Sequence, residues 1–344
     1  SIGRQTLEVI REANADSKSH ASFEIVGLST NRNETLLKKQ AKEFEVKKNV
    51  IANGHARPLV DLVSQSEADL VVVALSGAAG VKPTLAAIRS GKNIALANKE
   101  TLVMAGELVM KEVKKNSIRL IPIDSEHNAI FQLLELLDAH RQEYGGRINI
   151  QKIILPCSGG PFFGKSRAAL QSVAPAEALR HPTWSMGPKI SIDSATLVNK
   201  GFEVIEAQHL FNLPYDRIDL VIHPECRIHG MIRLKDGRTL VHTAPQDMKI
   251  PIRHALGIIA KPNSTGKIIV LPPRTTLPAR ELPYTFRAPD HDTFPGIRFG
   301  YKVGRSGREA CQKFVLANDA AVTDFLAGKI GFFDIYDRIE AAFK

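Results

Sequence analysis

The sequence predicts a doubly wound α/β domain at its amino end, followed by an α+β domain and a small carboxyl-terminal helical domain. Three observations carry this. Short runs rich in Val, Ile and Leu lack polar alternation, as strands buried on both faces do. Helix-length segments separate these runs at the spacing of strand–helix–strand units. From about residue 149 the texture changes to Gly-rich loops, one long helix and a strand group with a turn at Asp236-Gly237.

The elements follow in order. The opening SIGRQTLEVIREA reads as a helix from residue 1. Only Gly3 is available for a turn before it, so no G-x-G-x-x-G is present and the first strand of such a unit is expected to be missing. Strands are predicted at 23–29, 68–75, 93–97 and 118–123, with helices over 33–44, 79–90 and 100–115 between them. Sheets of this kind bind ligands at the carboxyl ends of their strands. INIQKIILPCSGGPFFGKS is a strand running into a Gly-rich loop, and HPTWSMGPKISIDSATLVNKGFEVIEAQHLF a loop, a short strand and a long helix. IDLVIHPECRIHGMIRLKDGRTLVHTA supplies further strands. Pro and Gly then thicken, as in a linker crossing the surface. The tail over 308–343 is helical in pattern. The expected units are 1–122, 123–262, a linker over 263–295, and 296–344, the last incomplete.

Composition bounds the function. The 344 residues are 44% apolar and 24% charged, with no uninterrupted apolar run of membrane-spanning length. Cys157, Cys226 and Cys311 are scattered without a C-x-x-C pair, which argues against a disulfide framework and a thiolate zinc site and fits a cytoplasmic protein. The net charge of +10 comes from dispersed pairs such as Lys38-Lys39 and Lys114-Lys115. That pattern suits solvated surface and small anions, not nucleic acid.

Several short motifs have both a structural and a chemical reading. In IPIDSEHNAIFQ, Asp124 and Glu126 stand where an apolar strand gives way to a helix. They either cap that helix or hold a metal. Asn199, Lys200 and Glu203 fall on one helical face. With Asp124 and Glu126 they would suit a hard cation beside a phosphorylated ligand, Mg²⁺ or Mn²⁺ rather than zinc. Ser158-Gly159-Gly160 is an ordinary tight turn or an anion cradle, and Ser194 with Asn199 and Lys200 offers a second phosphate signal. Lys99 begins a helix, either solvated there or aimed at a ligand. Trp184, the only tryptophan, sits with His181 and Met186 in a Pro/Gly-bounded loop, where an apolar lid competes with a core role.

ALANKETLVMAG, IPIDSEHNAIFQ, SGGPF, HPTWSMGPKISIDSATLVNKGFEVIEA, VIHP with IHGMI, PQDMKIPI and LANDAAV occur in order over nearly the whole chain. Together they resemble the 1-deoxy-D-xylulose 5-phosphate reductoisomerase family. The resemblance implies an NADPH-dependent Rossmann-like domain, and a catalytic and dimerisation domain. It also implies a divalent cation, Mg²⁺ or Mn²⁺ with Co²⁺ a further candidate, and a homodimer acting on a sugar phosphate. Asp124, Glu126 and Glu203 match the metal carboxylates. Lys99 and Ser125 match residues holding the substrate backbone. Ser158, His181, Ser194, Asn199 and Lys200 match its phosphate site. Asn98, Glu100 and Gly187 match positions near the cofactor, and Trp184 and Met186 match the lid. Asn31, Arg32 and Asn33 align with the segment meeting the adenosine 2′-phosphate. Ser1 and Ile2 begin the helix that meets the pyrophosphate, and without the preceding turn weak NADPH binding is expected.

The resemblance has departures: HPECRIHG replaces a more usual Gln-Ser-Val segment, with Gly230 in place of Ser, and the family's amino-terminal T-G turn is absent. A catalytically silent NADPH-binding or dimerisation module descended from this enzyme is the competing reading, and a generic NADP dehydrogenase a third. The enzyme reading sets two structural expectations. The three carboxylates converge with no basic residue between them, and Trp184 lies near the site over a poorly packed 179–188 loop.

Overall fold

A computed structural model describes residues 1–16, 22–257, 267–271 and 284–343. In the amino-terminal third, helix α1 (Ile2–Ala15) precedes β1 (Gly27–Thr30), α2 (Glu34–Glu43), β2 (Lys48–Ile51), α3 (Arg57–Gln65) and β3 (Leu70–Val73). Then come α4 (Val81–Arg89), β4 (Asn93–Leu96), α5 (Lys99–Lys115) and β5 (Leu120–Pro122). All strand pairs here are parallel, in two sheets, β1-β2 and β3-β4-β5. Helices cover both faces of the second sheet. Val9 of α1 packs with Ala95 and Ile121 on one side, and Ile88 of α4 with Ile94, Leu102 and Val109 on the other. This burial explains why the strands read as unbroken apolar runs. The expected helices and strands form, the first strand over Gly27–Thr30 and not from 23, and β2 and α3 are additions: the KNVI of β2 is half polar and gave little apolar signal.

The second unit is built on one mixed sheet. Helices α6 (Ser125–Ala139) and α7 (Arg141–Tyr144) lead to β6 (Ile150–Cys157), α8 (Pro175–Ala178), α9 (Pro188–Ala195) and α10 (Val198–Phe211). Strands β7 (Ile218–Ile222), β8 (Ile228–Leu234) and β9 (Thr239–Thr243), helix α11 (Lys249–Ala255) and β10 (Lys267–Leu271) complete it. The sheet order is β10-β9-β8-β6-β7, with only the β6-β7 pair parallel. Gly237, at φ +91°, closes the expected Asp236-Gly237 turn between β8 and β9. The short strand expected before the long helix is instead α9. Pro188 at its first turn presets helical φ, and the Ile-Ser-Ile stretch buries Ser191 and Ile192 in a helix. Part of the expected linker, 267–271, pairs antiparallel with β9 as β10. Its stretches 263–266 and 272–283 lie outside the described residues.

The carboxyl-terminal unit consists of α12 (Gly296–Ser306), α13 (Arg308–Leu326) and α14 (Asp334–Ala342). Its aromatic core includes Phe314, Phe325, Phe332 and Tyr336, and reaches Phe162 and Phe202 of the second unit. Close contact between α10 and α12 depends on glycine. A Cβ on Gly300 would lie 2.3 Å from the Gly201 carbonyl oxygen. That contact fixes the helix carrying Asn199, Lys200 and Glu203.

Candidate active site

Asp124 follows β5 and occupies the cap position of α6, yet its side chain makes no capping hydrogen bond. It pairs instead with the Lys99 ammonium and lies 2.9 Å from His127 Nδ1. The capping reading therefore fails for Asp124. The metal reading gains support, because oxygens of Asp124, Glu126 and Glu203 all lie within 4.8 Å of one another. Two helices and a strand end bring them together: Glu126 sits in the first turn of α6 and Glu203 in the second turn of α10.

One expectation is overturned. Two basic residues do stand among the carboxylates. The Lys200 ammonium bridges Glu126 and Glu203, at 2.5 Å from Glu203 Oε2, and the Lys99 ammonium lies 3.5 Å from Glu203 Oε1. The physical reason is charge density. Buried carboxylates this close repel one another, and any available cation lowers that energy. The same i, i+3 spacing that puts Lys200 on the Glu203 face makes it the nearest one.

Titration follows this packing. Burial pushes the Asp124 carboxyl up, but Lys99 and His127 hold it far below the usual range. Glu126 is lowered in the same way, chiefly by Lys200 against burial. Glu203 moves the other way, to about 6, through burial and repulsion from Glu126 that outweigh its two lysines. Glu206, one turn further along α10, is pushed up to about 7 by burial, against the attraction of His127. His127 is raised to about 9 because Glu206 and Asp124 more than offset its burial. The geometry agrees: Nδ1 faces Asp124 and Nε2 lies 2.9 Å from the Glu203 carbonyl oxygen, so both nitrogens have an acceptor.

Neither His127 nor Glu206 was singled out in the sequence. Extending the spacing would have found them, since each lies three residues beyond a candidate carboxylate.

The phosphate candidates gather on the same cavity, which measures about 590 Å³. Ser158, His181, Ser194, Asn199 and Lys200 line it together with Lys99, Ser125 and the three carboxylates. Ser158 Oγ accepts from the Gly160 N–H at 3.0 Å and faces His181 Nε2 at 3.1 Å. His181 Nδ1 accepts from the backbone N–H groups of Thr183 and Trp184, which leaves the proton on Nε2. Burial lowers the His181 pKa. Gly160, at φ +72°, is irreplaceable by geometry, because a Cβ would lie 2.6 Å from the Ser194 carbonyl oxygen. That close approach brings the Ser-Gly-Gly turn against α9.

Trp184 and Met186 line the cavity and are half-buried; Trp184 is not a core residue. Ser1, Ile2, Glu100 and Gly187 line the cavity as well. Asn98 lies beneath it: it caps α5 by accepting from Thr101 N at 3.0 Å and donates to the Leu75 and Gly77 carbonyl oxygens. Asn31, Arg32 and Asn33 are exposed on the β1–α2 loop and are not part of the lining. Cys157, Cys226 and His229 also reach the cavity. Burial raises the Cys157 thiol to about 12 and Cys226 to about 11, so neither is a thiolate at neutral pH.

The donor set suits a hard divalent cation. It is all carboxylate oxygen, and two buried oxygens beside it, Asn199 Oδ1 and Glu206 Oε2, make no hydrogen bond among the described residues.

Comparison with known proteins follows the same line. Models of the 1-deoxy-D-xylulose 5-phosphate reductoisomerase family match residues 1–60 and 51–106, with its C-terminal domain models at 120–211 and 243–344. A Clostridium perfringens 1-deoxy-D-xylulose 5-phosphate reductoisomerase is 43% identical, covering 99% of this chain and 88% of that protein. The Leifsonia xyli enzyme is 41% identical over 99% of this chain and 87% of its own length. A crystal structure of DOX-P reductoisomerase with NADPH, fosmidomycin and magnesium superposes with a TM-score of 0.86 at 38% identity, covering 100% of this chain and 86% of that one. The Zymomonas mobilis enzyme with NADPH gives 0.80 at 36% identity, covering 99% and 88%.

Proposed function

We infer function from family: the chain belongs to the 1-deoxy-D-xylulose 5-phosphate reductoisomerase family. It converts 1-deoxy-D-xylulose 5-phosphate to 2-C-methyl-D-erythritol 4-phosphate, with NADPH and a divalent cation, in the non-mevalonate isoprenoid pathway. The observation that carries this is the convergence of Asp124, Glu126 and Glu203 in the cavity that Ser158, His181, Ser194, Asn199 and Lys200 also line. A silent module would have no use for that set.

We assign roles residue by residue. Asp124, Glu126 and Glu203 hold the cation, Mg²⁺ or Mn²⁺. When bound, it supplies Lewis acidity toward a hydroxyl and a ketone oxygen, and NADPH supplies hydride. Lys99 and Ser125 orient the sugar backbone so that the carbon skeleton can cleave and rejoin in a retro-aldol/aldol sequence before reduction. Ser158, Ser194, Asn199, Lys200 and the Nε2 proton of His181 bind the phosphate and so fix the reacting end. Trp184 and Met186 close over the bound sugar and exclude water. Ser1, Ile2, Asn98, Glu100 and Gly187 form the near side of the nucleotide site, with Asn31, Arg32 and Asn33 at the adenosine 2′-phosphate.

We further propose a cytoplasmic homodimer with units at 1–122, 123–262 and 296–344. Among the described residues no helix is long and apolar enough to cross a membrane.

The test is NADPH oxidation on adding 1-deoxy-D-xylulose 5-phosphate, with and without Mg²⁺ or Mn²⁺. Turnover that needs both sugar phosphate and metal is expected. NADPH binding without any turnover would favour the silent module.

A further inference from the structure

Lys189 follows Gly187-Pro188 in the first turn of α9, at the carboxyl-terminal root of the 179–188 segment. Its ammonium sits in a cage of three carboxylates from three parts of the chain. Asp193 Oδ2 of α9 lies at 2.7 Å, Glu100 Oε1 of α5 at 3.0 Å and Asp319 Oδ1 of α13 at 3.3 Å. The face of Phe202 lies 5.0 Å away. Two of the partners are themselves anchored. Glu100 accepts from Asn98 at 2.9 Å, and Asp193 accepts from Asn318 of α13 at 2.8 Å. Asp319 lies near Gly77, after β3: a Cβ there would stand 3.2 Å from its Oδ2. The segment that carries Trp184 and Met186 is thereby tied at one end to the nucleotide side of the cleft and to the carboxyl-terminal unit.

We propose that Lys189 and Asp319 are positioning residues: through this cage the carboxyl-terminal helix α13 sets the root of the 179–188 segment, and so governs its closure over the sugar phosphate. This rests on the assignment of Trp184 and Met186 as the closing element. Lys189 borders the cavity, but its ammonium is taken up by the three carboxylates, and Asp319 is not part of the lining. A lysine held on three sides keeps the first turn of α9 in one place, so the segment before it swings from a fixed pivot. Burial disfavours the Lys189 charge, but Asp193, Glu100 and Asp319 raise its pKa, so the ammonium persists at working pH. Asp319 is itself raised, first by burial and then by Glu100 and Asp193, against the attraction of Lys189. Neutralising it relieves a like-charge contact and leaves Lys189 two carboxylates. Its replacement therefore separates position from stability.

The test uses Asp319→Asn, Lys189→Met and the double variant of the full chain. Four readouts are needed: KM for 1-deoxy-D-xylulose 5-phosphate, KM for NADPH, Tm, and the fluorescence of Trp184 on adding fosmidomycin with Mg²⁺. Asp319→Asn is expected to raise the sugar phosphate KM about fivefold, to move the NADPH KM less than about twofold, and not to lower Tm. The double variant is expected to be no worse than Lys189→Met alone, because both act through one tie. Equal shifts in both KM values, additive losses, or an unchanged sugar phosphate KM overturn the proposal while leaving the closing segment intact. Wild-type Trp184 fluorescence that ignores fosmidomycin overturns the closing-segment assignment, and the proposal with it. Asp319→Asn reports even where Lys189→Met fails to fold.

Discussion

Two lysine–carboxylate clusters lie side by side, and adjacent residues feed them: Lys99 enters one and Glu100 the other, both from the first turn of α5. The residue types are the same. What differs is where the carboxylates come from and what else they touch. Asp124, Glu126 and Glu203 stand at a strand end and helix starts that open on the cavity, and two lysines span them. Asp193 lies almost fully buried in α9, held by Lys189 and Asn318, and Asp319 reaches Lys189 from α13; Glu100, Lys189 and Asp193 border the same cavity. The first cluster brings three carboxylates within 4.8 Å of one another around two lysines; the second spreads three around one lysine and knits α5, α9 and α13 together. Composition of a charged cluster therefore says little about its job. The elements that supply it, and how closely its carboxylates converge, decide.

The sharpest way to break this comparison is Glu203→Gln. It keeps the shape and removes the charge shared by Lys99, Lys200 and the proposed cation. We expect kcat to fall by about a thousandfold or more, Mg²⁺ affinity by calorimetry to weaken, and the circular dichroism spectrum to stay the same. Retained turnover would remove Glu203 from the metal set.

A second, smaller effect separates the lysines. Lys200→Met leaves Glu126 and Glu203 facing each other across a buried gap. Without metal, stability is expected to drop by about 3 kcal/mol in denaturant unfolding, as for a broken buried pair, and Mg²⁺ should recover part of it. Loss that Mg²⁺ does not touch would mean the lysine serves only the fold, as in the second cluster.

The smallest effect is a pH dependence. The folded pKa of His127, about 9, lies above its unfolded value. Its contribution is therefore fully present below the unfolded pKa of about 6.5 and is lost as pH rises through the folded value. Tm should fall by about 5 °C from this source across that window, and His127→Gln should flatten the slope. An identical slope in the variant would place the titration elsewhere.

Much of the fold was legible because local pattern and burial agree. The parallel strands are covered on both faces, so they lack polar alternation, and the helices between them are long enough to register. α9 departs from the expected strand because a short Pro-started helix of alternating Ile and Ser carries both periods. β2 was missed because a half-exposed strand of four residues buries too little to leave an apolar signature. The site was legible in its parts: every predicted catalytic, phosphate and metal residue lines the one cavity, as do Ser1, Ile2, Glu100, Gly187, Trp184 and Met186.

By itself the sequence determined the residue types, their local spacing and the family they match, since helical and strand periods act over a few residues. Only the tertiary structure decided that Glu203 meets Asp124 across 79 positions of chain. It also decided that Lys99 and Lys200 stand between them, that Asn98 works beneath the cavity and not in it, and that Lys189 finds Asp319. Each of these depends on which helix ends pack together. That is set by long-range contacts such as Gly201 against Gly300, whose energy no local stretch of sequence contains.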